Sequence, residues 1–251
     1  EDLDNIEMNS INDSDTEYGT IIDATMDSDR QISAQDALDY ITQYVQYLKI
    51  PVFFNGELIS QNDYKGGYNG LDFFHIQKEH AGLLYSFDYA IDVYSKTPVQ
   101  AKAFIKNVHI GNMDYEGDLM LDTQKDRLFG LRNGFGLSPI LLSSIYSFGG
   151  VVNMNMLKPT AGREAINQSC LGILQRLMHV WEDVFSLYIS KQEYADRYRN
   201  FLHYLDVNNR VELARNINIQ KANEENEYIK LGDLAQDIEH ARFYKGSDTS
   251  I

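Results

Sequence analysis

The sequence predicts a mixed α/β fold in which a sheet covered by helices is followed by a helical connector and a small terminal αβα unit. Two patterns carry this prediction. Residues 83–94 alternate apolar and polar side chains, which is typical of a β-strand. Residues 166–188 repeat apolar side chains at helical spacing, which predicts a long amphipathic helix with the single tryptophan, Trp181, on its apolar face. We expect the sheet within residues 19–158.

The predicted domain organisation follows shifts in composition and patterning along the chain. Residues 1–18 are acidic and poor in large apolar side chains, so we interpret them as a linker. The sheet domain covers residues 19–158 and contains a hairpin insertion near residues 115–136. The helical connector covers residues 159–217, and the terminal αβα unit covers residues 218–251.

The first part of the sheet domain combines short strands with one helix. Residues 19–26 alternate as a strand does. Ser33 is predicted to open a helix, and Asp36 three residues later completes a weak capping box. The Asn55-Gly56 dipeptide predicts a tight turn between two short strands.

In the second part of the sheet domain, the sequence predicts a strand and a hairpin and contains a glycine-rich run. Residues 101–110 form the strand. Residues 115–131 predict the hairpin, because alternating leucines and a second apolar run flank a polar turn. The run Gly130–Gly136 resembles a nucleotide lid, but its place in the chain and the absence of an Asp-x-Gly-x-Gly partner favour a tight loop.

Composition and charge limit the classes of partner. The formal net charge is -15, from 22 basic and 37 acidic side chains, which argues against a broad nucleic-acid or anionic-membrane footprint. No apolar run approaches the ~20 residues of a membrane span, and the N-terminus carries no signal pattern. The single cysteine, Cys170, is expected to be an inert core thiol. We therefore expect a cytoplasmic protein that binds neither nucleic acid nor membrane.

Motifs for metal binding and for hydrolysis are not recognisable in the sequence. The six histidines show no metal-ligand spacing. The chain has neither a Gly-x-Ser-x-Gly elbow nor a Gly-x-x-x-x-Gly-Lys-Ser loop. We predict no metal site.

The most informative stretch is the run from Ser147 to Asn167. Gly149 and Gly150 lie in a short buried strand, residues 148–152, and allow either a close approach of neighbouring backbone or a bend. A polar loop follows, and Thr160 is predicted to cap the long helix. Arg163 would then lie in or near the first helical turn.

Arg163 is unfavourably placed at that position, because a helix N-terminus carries partial positive charge and prefers anions. Two interpretations remain open. Arg163 pairs with a carboxylate, for which Glu164 and Glu57 are candidates, or it binds a phosphate group.

A strand that ends in Gly-Val-Val and leads through a short polar loop to an Arg-Glu pair resembles the catalytic loop of the heat-shock protein 90 chaperone family. The segment IPVFFNGELI (residues 50–59) is similar to the entry into that family's middle segment. The strand at 101–110 and the closing stretch at 227–246 resemble further family elements. The order of elements matches along most of residues 19–250.

The resemblance implies a ribosomal-protein-S5-domain-2-like sheet and a role in protein folding and the stress response. It implies that ATP with Mg²⁺ is bound by an upstream domain, to which this middle segment delivers Arg163. Thr160 and Asn167 match positions where the family has Asn and Gln that steady the loop and the γ-phosphate. Lys158 matches the region from which gyrase and mismatch-repair relatives deliver a lysine.

The resemblance also implies partners: the upstream ATPase domain, client proteins and, in the full-length protein, a second copy in a homodimer. This fragment alone is expected to be inactive as an ATPase. The alternative interpretation belongs to another class. It is a non-catalytic interaction scaffold that keeps the chaperone-middle shape and binds proteins through its acidic surface.

Overall fold

The computed structural model describes residues 32–65, 70–160, 165–220 and 227–234. The chain divides into two compact units, Glu1–Ala37 and Leu38–Ile251. The predicted linker at 1–18 and the predicted strand at 19–26 lie outside the described residues.

Helix α1 (Ala34–Val45) begins at the predicted capping box. Ser33 Oγ accepts a hydrogen bond from the Asp36 N–H at 3.1 Å and donates one to the Asp36 carboxylate at 2.6 Å. These bonds satisfy one of the backbone donors that a helix start leaves free. The prediction of Ser33 as the first cap is confirmed.

Strands β1 (Phe53–Phe54) and β2 (Glu57–Leu58) form the predicted hairpin. Asn55 has φ of 49° and Gly56 has φ of 85° at its turn. Positive φ at both central residues is the signature of a type I′ turn, which Asn-Gly favours.

A mostly antiparallel seven-stranded sheet makes the chain a mixed α/β protein. Its strands, in chain order, are β3 (Phe74–His80), β4 (Leu83–Lys96), β5 (Val99–Ile110), β6 (Gly117–Asp122), β7 (Leu128–Arg132), β8 (Phe135–Ile140) and β9 (Gly149–Met154). Their spatial order is β3-β4-β5-β6-β9-β7-β8. Only β7 and β9 pair in parallel; every other neighbouring pair is antiparallel.

The predicted hairpin at 115–131 is wrong, because β9 lies between β6 and β7 and pairs with both. Gly150 is opposite Leu121 on one side and Leu128 on the other. Its φ is +122°, and a Cβ there would overlap the Met120 carbonyl oxygen. Because glycine has no Cβ, β9 can lie between β6 and β7 at this close backbone distance.

The glycine-rich run at 130–136 is a β-hairpin. Strands β7 and β8 are joined at Asn133 and Gly134, both with positive φ. The expected tight turn is confirmed. Strand β8 was not predicted, because its sequence contains two residues that are uncommon in strands, Gly136 and Pro139. The sheet tolerates Pro139 because β8 is an edge strand.

Helix α2 (Gln168–Ile189) supplies the helical side of the core. Trp181 and Phe185 are fully buried, and Cys170 is buried at the first turn, as predicted. Their neighbours in the core come from β4, β5, β6 and β9. The amphipathic pattern of residues 166–188 thus corresponds to one helix that packs on the sheet.

The remaining described elements follow α2. They are α3 (Arg199–Val207), two short 3₁₀ helices (Ala195–Arg197 and Val211–Asn216), β10 (Asn218–Gln220), β11 (Tyr228–Lys230) and α4 (Leu231–Leu234). None of the helices in the described part of the chain has both the length and the hydropathy that crossing a membrane requires.

Candidate functional site

The candidate site is the loop that joins β9 to α2, residues 155–167. Its first half is anchored in the core, since Met156 and Leu157 are buried directly after the strand. The backbone then reaches the surface at Lys158, whose side chain is exposed. The buried residues hold the point from which the loop leaves the sheet.

The two ends of the loop are hydrogen-bonded to each other. The Asn167 N–H donates to the Lys158 carbonyl at 2.9 Å, and the Thr160 N–H donates to the Ala165 carbonyl at 2.8 Å. We call the paired segments, from Lys158 to Thr160 and from Ala165 to Asn167, the stem. The stem closes on residues 161–164, which lie outside the described residues.

Helix α2 is capped by Asn167, so the predicted cap at Thr160 is wrong. Asn167 Oδ1 accepts hydrogen bonds from the Ser169 N–H at 3.0 Å and from Ser169 Oγ at 2.8 Å. Thr160 instead lies ahead of the helix start, where its N–H pairs across the stem with the Ala165 carbonyl. Asn is among the strongest N-caps.

Because α2 begins at Gln168, Arg163 precedes the helix and is not in its first turn. The predicted place of Arg163 in the first helical turn, on which the expected conflict with the helix dipole rested, is therefore wrong. Arg163 and its candidate partner Glu164 lie outside the described residues. The catalytic role of Arg163 therefore stays a prediction.

The stem is also tied to the sheet. Cys170 Sγ donates to the Met156 carbonyl at 3.1 Å, which joins the first turn of α2 to the residues after β9. Ile166, in the stem, is buried and lies over Gly130 of β7, where a Cβ would crowd its side chain. These contacts fix the stem relative to the sheet.

A buried carboxylate fixes the body of α2 to the segment that leads into β9. Glu182 is only 3% exposed and accepts hydrogen bonds from Ser144 Oγ and from the Ile145 N–H, both at 2.7 Å. Burial raises the pKa of the Glu182 carboxyl, and these hydrogen bonds offset part of that effect. The sequence contained no signal for this role, because Glu182 lies in a predicted apolar helix among many other acidic residues.

We expect a Glu182→Gln variant to lose part of the pH dependence of stability. Because the pKa of Glu182 is higher in the folded than in the unfolded protein, the folded protein binds its proton more tightly. The free energy of unfolding of the unmodified protein should therefore fall, relative to the variant, as the pH rises from the unfolded pKa through the folded one. Urea denaturation of both proteins between acidic and neutral pH measures the difference.

Glu193→Gln is the matched control, because it removes the same charge at an exposed position. Its difference from the unmodified protein should not follow the trend of Glu182→Gln. A Glu182→Gln difference that stays constant with pH would contradict the assignment of a buried, proton-binding carboxylate.

Of the two cationic candidates, Lys158 is among the described residues and Arg163 is not. Lys158 is exposed and forms no ion pair with another described residue. Thr160 and Asn167 are exposed as well, and the stem brings both close to Lys158. Three of the four predicted site residues therefore lie together at the surface.

No group of three or more His, Cys, Asp or Glu side chains within the described ranges could hold a metal ion. The sequence did not predict a cleft beside the stem, between α1 and the β7–β8 hairpin, that Pro159 also lines. The available signal was a pair of tyrosines one helical turn apart, Tyr40 and Tyr44. Comparison with models of known families and with curated proteins finds no match to this chain.

Proposed function

We propose that this chain is the middle segment of a heat-shock-protein-90-like ATPase, and that its loop supplies Arg163 to ATP bound in an upstream domain. The observation that supports the proposal is the stem. It is a hydrogen-bonded pair of segments, anchored in the core on both sides, that closes on the four residues containing Arg163. It offers a fixed support for the residues that include Arg163.

The chemistry of phosphoryl transfer explains why a fixed support for the loop is useful. Catalysis of this reaction consists mainly of positioning and of charge stabilisation, and an arginine contributed by a second domain meets both needs. Positional errors of about 1 Å can cost a hundredfold in rate. Buried anchors at Met156 and Ile166, and the cap at Asn167, restrict the base of the loop. In this proposal ATP and Mg²⁺ are held entirely by the upstream domain.

The other site residues take supporting roles in the proposal. Asn167 steadies the loop, which its bonds to Ser169 support. Thr160 contributes backbone pairing within the stem and an exposed hydroxyl. Lys158 is the second cation of the loop and the alternative donor of positive charge to the γ-phosphate.

The fold type, oligomeric state, cellular location and cellular role are part of the same proposal. The mostly antiparallel sheet with helices packed on it supports a ribosomal-protein-S5-domain-2-like type. We assign to the full-length protein a homodimeric state, a cytoplasmic location and a role in client-protein folding. The family resemblance supports these assignments.

A scaffold function is the second candidate, and one observation favours it. Helix α1 is amphipathic, yet none of its described residues is buried. A protein that binds partners through exposed helix faces would retain such a surface. This candidate requires no catalytic contribution from Arg163, so ATP turnover of an Arg163 variant separates the two functions.

We expect this chain alone not to bind ATP, because the proposal places the nucleotide pocket in the upstream domain. Isothermal titration calorimetry of the chain with Mg²⁺-ATP should show no binding in the micromolar range. A protein that includes the upstream domain is the positive control. Micromolar binding by the isolated chain would contradict the proposed division of labour.

A further inference from the structure

An open cleft of about 890 Å³ lies between α1 and the β7–β8 hairpin. Volumes of roughly 300–1,000 Å³ are typical of sites for small molecules. The cleft is lined by aromatic and aliphatic side chains, with Arg132 at the end of β7 and Pro159 of the stem. It takes no part in the proposed ATPase chemistry.

Three rings form a continuous wall in this cleft. The ring centroids of Tyr40 and Tyr44 are 5.2 Å apart, and those of Tyr44 and Phe135 are 6.2 Å apart. Tyr40 is 63% exposed and Phe135 is 45% exposed. Aromatic pairs at these separations attract each other, and their exposed faces offer a stacking surface for a further ring.

Arg132 is the only charged residue among the described residues that line the cleft. It is exposed and forms no ion pair with another described residue. By contrast, Arg210 pairs with Asp183 and Glu212, and Lys65 pairs with Asp118. In a chain with a net charge of -15, a cation at an aromatic cleft whose described lining contains no carboxylate is well suited to an anionic ligand.

We propose that this cleft binds a small aromatic carboxylate. The ring of the ligand packs against the wall of Tyr40, Tyr44 and Phe135, and its carboxylate accepts two parallel hydrogen bonds from the guanidinium of Arg132. A carboxylate matches the single positive charge. A phosphate carries up to two negative charges, and among the described residues that line the cleft Arg132 is the only cation available to balance them.

The site lies next to the candidate loop, because Pro159 belongs to both. Pro159 is paired with Ile166 across the stem. A ligand bound in the cleft would therefore lie beside the stem. The inference does not depend on the proposed ATPase role, since it is carried by the cleft and by Arg132.

The test uses indole-3-acetate as the probe and neutral indole-3-acetamide as its isostere. Saturation-transfer NMR detects binding of each to the whole chain, and calorimetry measures the two affinities. We expect the acetate to bind about tenfold or more tightly than the acetamide, because a hydrogen bond to a charged group is stronger than one to a neutral group. Arg132→Gln should abolish that preference without changing the fold, since Arg132 is exposed.

Arg127→Gln is the matched control, because it removes the same charge near the opposite end of β7 and away from this cleft. It should leave the preference for the acetate unchanged. A Tyr40→Ser variant should weaken both ligands, since both use the aromatic wall. The inference is overturned if the acetate does not bind, if both probes bind equally to the unmodified chain, or if Arg132→Gln retains the preference.

Discussion

Replacing Arg163 with alanine in a protein that includes the upstream domain is expected to lower ATP hydrolysis by about a thousandfold or more. Folding and ATP binding should remain nearly intact, because the stem that supports the loop is built from other residues. The physical reason is that an arginine at the γ-phosphate stabilises the charge of the transition state much more than that of the bound substrate. Steady-state turnover, nucleotide affinity and melting temperature measure the three quantities.

Lys158→Ala is the matched control, because Lys158 is the other cation of the loop and is exposed. In the proposed mechanism it lowers turnover much less than Arg163→Ala does. If the Arg163 variant instead keeps its turnover within a few-fold and its melting temperature drops, Arg163 is a structural ion-pair partner. Lys158 would then become the candidate for catalysis.

A Trp181→Ala variant is expected to lose about 3–5 kcal/mol of unfolding free energy. Trp181 is fully buried, and its ring lies between the sheet and its own helix. The ring centroids of Tyr89 and Phe185 are both 5.8 Å from that of Trp181, and those of Phe148 and Phe87 are at 6.3 Å and 6.4 Å. Alanine would leave a cavity that this cluster cannot fill without moving strands.

Chemical denaturation followed by circular dichroism measures the loss. Trp181→Phe should cost less than alanine, because Trp181 Nε1 has no hydrogen-bond partner among the described residues and a phenyl ring keeps most of the packing. Leu187→Ala, at a partly exposed position of the same helix, is the control and should cost less still. Unchanged melting of Trp181→Ala would mean that the apolar side of α2 is not a core surface.

Structural features that depend only on residues close together in the chain were predictable from the sequence. The cap at Ser33, the turn at Asn55 and Gly56, and the apolar face of α2 follow from hydrogen bonds or periodicities within a few residues. The alternation of residues 83–94 likewise predicted β4, because period-two patterning needs only one buried face.

The cap of α2 shows where prediction from local signals fails. Thr160 and Asn167 are both suitable caps, and nothing near either residue decides between them. In the structure Thr160 and Asn167 belong to the stem, whose cross-loop hydrogen bonds precede the helix, so that the helix begins only after Asn167. Because those bonds join residues across an intervening loop, they are not visible in the local pattern.

The position of β9 and the cleft beside the stem are decided by tertiary structure alone. The sequence predicted that Gly150 allows a close approach, since only glycine permits such a backbone, but not that the approaching strands are β6 and β7. Arg132 and Tyr44 are likewise far apart in the chain, and the packing of α1 against the β7–β8 hairpin brings them to one cleft. The residue type therefore determines which local backbone conformations are possible and which side chains can be buried. The order of the strands and the residues that line the cleft depend instead on which segments, far apart in the chain, bury the most apolar area when they pack together.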